Sequence, residues 1–153
     1  MTIHLEAVDK IEILTLQDNY IDVAAMDSTE MVQRALPLKD GEIKNSILAE
    51  HGFSALVSVT ADGVSRHILF DFGFSEHGAA INADALNADL SKVETLVLSH
   101  GHMDHFGGML SLLEKVGKKN LIWFSTQRHL ENHAISKYPM ISRSPRLPWI
   151  KKS

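Results

Sequence analysis

The chain contains no cysteine. A disulfide framework, an all-thiolate zinc site and a cysteine nucleophile are thereby excluded, and the absence fits a reducing compartment. No apolar run approaches the ~20 residues that a membrane-spanning helix requires. The opening segment MTIHLEAVDK has no basic stretch followed by an apolar core, so it does not read as a signal peptide. There is no global basic excess either. The net charge is -4, which argues against a nucleic-acid partner. Internal repeats and low-complexity tracts are also missing. These absences predict a cytoplasmic protein with neither a membrane nor a nucleic acid as its partner.

What is present is ordinary for a globular chain. Of 153 residues, 44% are hydrophobic and 22% charged, enough to bury a core in one domain over 1–153. The charge is unevenly spread. Residues 137–153 hold Lys137, Arg143, Arg146, Lys151 and Lys152 and no acid, so this proline-containing segment carries +5 and the rest of the chain -9. It reads as a solvated basic tail, the alternative being a patch that faces an anionic substrate.

Residues 11–16, IEILTL, alternate apolar and polar and predict a strand. Asp18 and Asn19 follow as turn formers, with the site rim as their alternative place. Pro37 and Asp40-Gly41 break any long helix over 23–52. SALVSVT and SRHILFDFG flank Ala61-Asp62-Gly63 and predict a β-hairpin. HGAAINADALNA predicts a helix, with His77 as its cap. KVETLVLSH predicts a strand with a nearly continuous apolar end, suited to burial on both faces. Phe106, Met109, Leu110, Leu113 and Val116 then predict one helical face, stopped at Gly117. LIWFS is a further strand, after which Pro139, Pro145 and Pro148 interrupt the pattern. Strands first and strand-helix-strand afterwards indicate a mixed α/β layered domain.

The densest chemistry lies in LVLSHGHMDHFGGM, residues 96–109. His100, His102, Asp104 and His105 fall where a buried strand gives way to a helix, a usual place for sites in layered α/β proteins. In extended chain His100 and His102 point to one side and can pinch one ion. Asp104 and His105, at the turn, can address a second. Imidazole nitrogens and a carboxylate suit zinc, with iron or manganese as alternatives. Two ions about 3.5 to 4 Å apart can share a water and lower its pKa. Gly107 and Gly108 are expected to remove bulk where the helix passes this pocket. A surface loop of four polar residues is the bland alternative. Purely structural zinc is disfavoured, because such sites close with four ligands and are often thiolate-rich.

SHGHMDHFGG matches the His-x-His-x-Asp-His signature of the metallo-β-lactamase superfamily, which the chain resembles over about residues 11–126. ILFDFG resembles that family's strand ending in Asp-x-Gly, with Asp71 as the acid. DNYID and EHGFSALVSV resemble one subgroup, the metal-dependent hydrolases related to the dihydropterin-ribofuranosylaminobenzene phosphate synthase of methanopterin biosynthesis. The resemblance implies an αββα sandwich, of which this chain corresponds to the N-terminal half, a mixed sheet with helices on one face. It also implies a hydrolase that uses metal-bound hydroxide on an ester or phosphoester of a small-molecule substrate. His100, His102, Asp104 and His105 would hold one or two zinc ions. Asp104 would also orient the attacking water, and Asp71 would orient a metal-bound imidazole.

The family takes its remaining ligands from later loops, a histidine for each ion and a bridging aspartate. Here only His129 and His133 follow the motif, at positions that read as a surface turn, and no acid follows Glu131. The alternative is therefore a truncated, non-catalytic metal-binding fragment that needs a missing C-terminal half or another chain. Such a half-sandwich leaves one sheet face uncovered, carrying Leu96, Leu98, Ile68 or Phe70 according to register, and is expected to self-associate. Of the other histidines, His4 falls in a frayed terminus and His67 faces a strand partner or solvent. His51, beside Glu50, is either at the site edge or in a loop hydrogen bond.

Overall fold

A computed structural model of the chain describes residues 6–22, 24–25, 27–35, 38–39, 42–43, 47–125 and 141–143. His4, His129 and His133, and all of segment 137–153 except 141–143, lie outside the described residues. The strands are β1 (Lys10–Gln17), β2 (Leu38–Lys39), β3 (Glu42–Ile43), β4 (Ser54–Ala61), β5 (Val64–Phe70), β6 (Val93–Leu98), β7 (Leu121–Ser125) and β8 (Ile141–Arg143). The helices are α1 (Gly78–Ala85), α2 (Met103–Phe106) and α3 (Met109–Val116), with a 3-10 turn at Leu90–Lys92.

Six strands form one mixed sheet in the order β1-β4-β5-β6-β7-β8, and β2 and β3 pair separately. The first three are antiparallel, and β5 to β8 are parallel. The hairpin β4–β5 turns where the sequence predicts it. Asp62 and Gly63 both take left-handed φ, 51° and 73°, the backbone of a two-residue turn matched to the strand twist. Parallel pairing follows from the connections, because α1 lies between β5 and β6, and α2 and α3 between β6 and β7.

Register separates the two faces of the sheet. Leu14, Leu56, Leu69, Leu96 and Trp123 stand opposite one another across five strands. This row belongs to the core with Ala79 and Ala83 of α1 and Leu112 and Leu113 of α3, so the helices cover one face. The next row, Ile13, Val57, Ile68, Thr95 and Ile122, alternates to the other face, and Ala55, Phe70, Val97 and Phe124 extend it. Ile13 is 66% exposed there. Ile68 and Phe70 thus belong to the face without helices, whereas Leu96 and Leu98 belong to the core.

The helix after the motif differs in phase from its prediction. It breaks into α2 and α3 at Gly107-Gly108, which turns the second part. Leu112 is fully buried, and Leu110, expected inside, is 39% exposed. Gly117 ends α3 in the left-handed region, at φ 63°, and its N–H reaches Leu113 O at 3.0 Å.

Candidate metal centre

The motif sits at the carboxyl edge of the parallel strands. After β6 the chain stays extended as far as His102 (φ -79°, ψ 148°) and then enters α2. Alternation in extended chain puts His100 and His102 on one side, with ring centroids 4.6 Å apart. The first turn of α2 brings His105 back, with its ring 4.1 Å from that of His100. Asp104 Oδ2 lies 3.4 Å from His105 Nε2. All four motif residues therefore gather at one strand end. No group of three or more His, Cys, Asp or Glu among the described residues is arranged to hold an ion.

Asp71 is the buried anchor of this edge, 1% exposed. Its backbone is left-handed, φ 53°, a conformation that aspartate tolerates better than most residues. Asp71 N–H donates to Val97 O at 2.9 Å, and Ser54 Oγ donates to Asp71 O at 2.9 Å. The carboxylate is thereby turned onto the next strand end. Oδ1 accepts from Ser99 N at 2.7 Å, and Oδ2 accepts from Ser99 Oγ and His105 Nδ1, each at 2.7 Å. An acid at the end of an apolar strand, beside a strand that ends in histidines, was the sequence signal for this contact.

Backbone contacts clamp α2 from outside. Phe72 N donates to His105 O at 2.7 Å, and Phe53 N to Asp104 O at 3.2 Å. A Cβ on Gly107 would collide with Phe74 O, and one on Gly108 with Phe72 O. The two glycines therefore admit the 72–75 backbone, a different function from the expected clearance of a metal pocket. Gly52, at φ 126°, faces Asp104 O in the same way.

His51, 73% exposed, stands at the rim with Nε2 3.3 Å from Asp104 Oδ2. Neighbouring groups fix its loop. Gly52 N donates to Asn19 Oδ1 at 2.8 Å, so Asn19 is structural, and Glu50 N donates to Asp18 O at 3.2 Å. Glu50 Oε1 accepts from Ser75 N at 2.6 Å. Burial pushes the Glu50 carboxyl up, but hydrogen bonding from Ser75 outweighs it and leaves the group below the ordinary carboxylate range. Sequence reasoning did not assign this anchoring role to Glu50.

His77 precedes α1 but makes no side-chain cap. Ser75 Oγ accepts from Gly78 N at 3.1 Å instead, and His77 Nδ1 meets Ser111 Oγ at 2.8 Å. His67 pairs across the hairpin with Ser58 Oγ at 2.9 Å. A shallow groove of about 500 Å³ between α1 and α3 shares no lining residue with the motif. Its polar groups bond one another, His77 with Ser111 and Lys115 Nζ with Asp84 Oδ2 at 2.6 Å.

A mixed sheet with helices on one face, carrying a His-x-His-x-Asp-His turn at its parallel edge, is a partial metallo-β-lactamase fold. The metallo-beta-lactamase superfamily model matches residues 51–122, and over that stretch the chain is similar to that superfamily. That likeness implies binding of divalent metal. A relative from Methanocaldococcus jannaschii is 25% identical over 119 residues, 78% of this chain and 34% of its own. It is named 7,8-dihydropterin-6-methyl-4-(beta-D-ribofuranosyl)-aminobenzene-5'-phosphate synthase. An uncharacterised protein of the same organism is 28% identical, over 76% of this chain and 43% of its own. The chain thus spans less than half the length of these curated relatives. A flavo di-iron protein variant from Thermotoga maritima is 18% identical, with a TM-score of 0.42 over 60% of this chain and 23% of its own. No helix among the described residues is long and apolar enough to cross a membrane.

Proposed function

We propose that this protein contributes the metal-binding half of a metal-dependent hydrolase acting on an ester or phosphoester of a small anionic molecule. One observation carries the reading. Asp71 Oδ2 accepts from His105 Nδ1, so in the neutral ring that nitrogen holds the proton and Nε2 presents its lone pair. That lone pair faces Asp104 Oδ2 at 3.4 Å. Two acceptors in that position repel unless a proton or a metal cation joins them. Donors about 2.0 to 2.1 Å from one tetrahedral zinc lie about 3.3 Å apart, so the spacing suits a shared ion.

His100 and His102 would hold one ion, and Asp104 and His105 a second. Zinc fits the nitrogen-rich set, with manganese or iron as alternatives. Bound there, a divalent ion supplies a Lewis acid that acidifies water and stabilises developing negative charge. Asp104, on the open side of the cluster beside His51, would orient the attacking water. The phosphorylated compound in the first relative's name supports an anionic substrate.

A second reading is favoured by the lack of any three-ligand group among the described residues. In it the chain binds metal without turnover, and another chain supplies the missing donors. The apolar sheet face bearing Ile13, Val57, Ile68 and Phe70 would then be the surface for self-association or for that chain. Metal content, phosphodiesterase and lactonase turnover, and sedimentation of the purified protein separate the readings. Turnover that is lost in Asp104→Asn supports the first. Bound metal without turnover, in an associated species, supports the second. A protein that retains no zinc, manganese or iron above background overturns both.

A further inference from the structure

We infer that Ser99 is a positioning residue that passes the proton preference of Asp71 on to His100, so that one buried carboxylate sets the tautomers of two motif histidines. The inference rests on the metal reading for its purpose, but its chemistry stands on the hydrogen bonds alone.

Count the protons. Ser99 has one hydroxyl hydrogen, and its oxygen lies 2.7 Å from Asp71 Oδ2 and 2.9 Å from His100 Nδ1. The ionised Asp71 carboxylate only accepts. If the hydroxyl donated to His100, then Ser99 Oγ and Asp71 Oδ2 would stand 2.7 Å apart with no hydrogen between them. Buried oxygen pairs of this kind are strongly disfavoured. The hydroxyl therefore donates to Asp71, and Ser99 Oγ is left as acceptor to His100. Nδ1 of His100 must carry the hydrogen, and Nε2 carries the lone pair. His105 reaches the same state directly, through Nδ1 on Asp71 Oδ2 at 2.7 Å.

The Ser99 backbone N–H donates to Asp71 Oδ1, also at 2.7 Å, and so holds the other oxygen of the carboxylate. Unconstrained neutral imidazole favours the hydrogen on Nε2, which would block that nitrogen as a ligand. Ser99 removes that preference at His100 and leaves Nε2 available without changing the charge of the ring.

The test is the long-range ¹H–¹⁵N spectrum of the metal-free protein at pH 8, for wild type, Ser99→Ala and Ser99→Thr. Wild type should show His100 and His105 with protonated Nδ1 and unprotonated Nε2. Ser99→Ala should return His100 mainly to protonated Nε2 and leave His105 unchanged. Ser99→Thr keeps the hydroxyl and should restore the wild-type pattern at His100. Zinc affinity should fall about 10-fold in Ser99→Ala and recover in Ser99→Thr. An unprotonated Nδ1 on wild-type His100, or a Ser99→Ala spectrum equal to wild type at His100, overturns the inference. The expected spectra in a protein that binds no metal would leave the relay standing and refute the proposed function instead.

Discussion

Replacing Asp71 by asparagine keeps the volume of the side chain and inverts its hydrogen bonding. Oδ1 of the new amide must stay on Ser99 N–H, because that donor cannot accept. The amide nitrogen then points at Ser99 Oγ and His105 Nδ1, both of which receive a donor where they now meet an acceptor. Nδ1 of His105 has to accept, and its proton moves to Nε2, the atom facing Asp104. Ser99 is freed to donate to His100, and that ring inverts too. Both rings then hold hydrogen on the nitrogen that a metal needs. Loss of an outer carboxylate behind one metal-bound histidine typically costs 10-fold to 100-fold in affinity. With two rings affected, Asp71→Asn should sit at or beyond the upper end, about 100-fold, or about 2.8 kcal/mol. The assay is zinc competition against a chromophoric chelator at pH 7.5, with circular dichroism to show that the variant is folded. A folded Asp71→Asn that binds zinc as tightly as wild type would refute the reasoning.

Other outcomes follow from the same geometry. Gly107→Ala drives a methyl into Phe74 O and should destabilise by about 1 to 3 kcal/mol, read as a lower Tm in calorimetry. The Glu50 carboxyl is depressed in the folded state, so its contribution to stability is present above the unfolded pKa and is lost as pH falls through the folded one. Urea unfolding of Glu50→Gln across pH 3 to 7 should therefore show less loss of stability on the acid side than wild type does. Ile13→Lys places a charge on the sheet face without helices and should shift any sedimenting oligomer toward monomer.

Much of the fold was legible because its signals are local. Asp62-Gly63 announces a hairpin by its own φ preferences, and Gly117 announces a helix end in the same way. The four motif residues are legible because alternation and the first helical turn are enough to bring them together. Asp71 was readable as an acid at a strand end, once its strand was placed beside the one that carries the histidines. What escaped depends on distant backbone. Nothing near Gly107 and Gly108 in sequence reveals that the 72–75 loop passes against them, so the helix break and the exposure of Leu110 were missed. Sheet register likewise decided that Ile68 and Phe70 share the face without helices, while Leu96 and Leu98 join the core. Ser99 gives no sign of its role in the sequence, because the relay exists only once Asp71 has crossed from the neighbouring strand. Ser75 displaced His77 as the cap because His77 turns toward Ser111 on another helix.

The central claim is that His100 and His105 offer their Nε2 atoms, together with His102 and Asp104, to divalent metal. Titrating zinc into the ¹⁵N-labelled protein and following the histidine ring nitrogens tests it directly. The account predicts that Nε2 of His100 and His105 and one ring nitrogen of His102 shift together as zinc is added, that Nδ1 of His100 and His105 stays protonated throughout, and that Asp104→Asn weakens the response of His105 most. Zinc uptake that leaves the Nε2 signals of His100 and His105 unmoved, or that shifts their Nδ1 in place of Nε2, would contradict it.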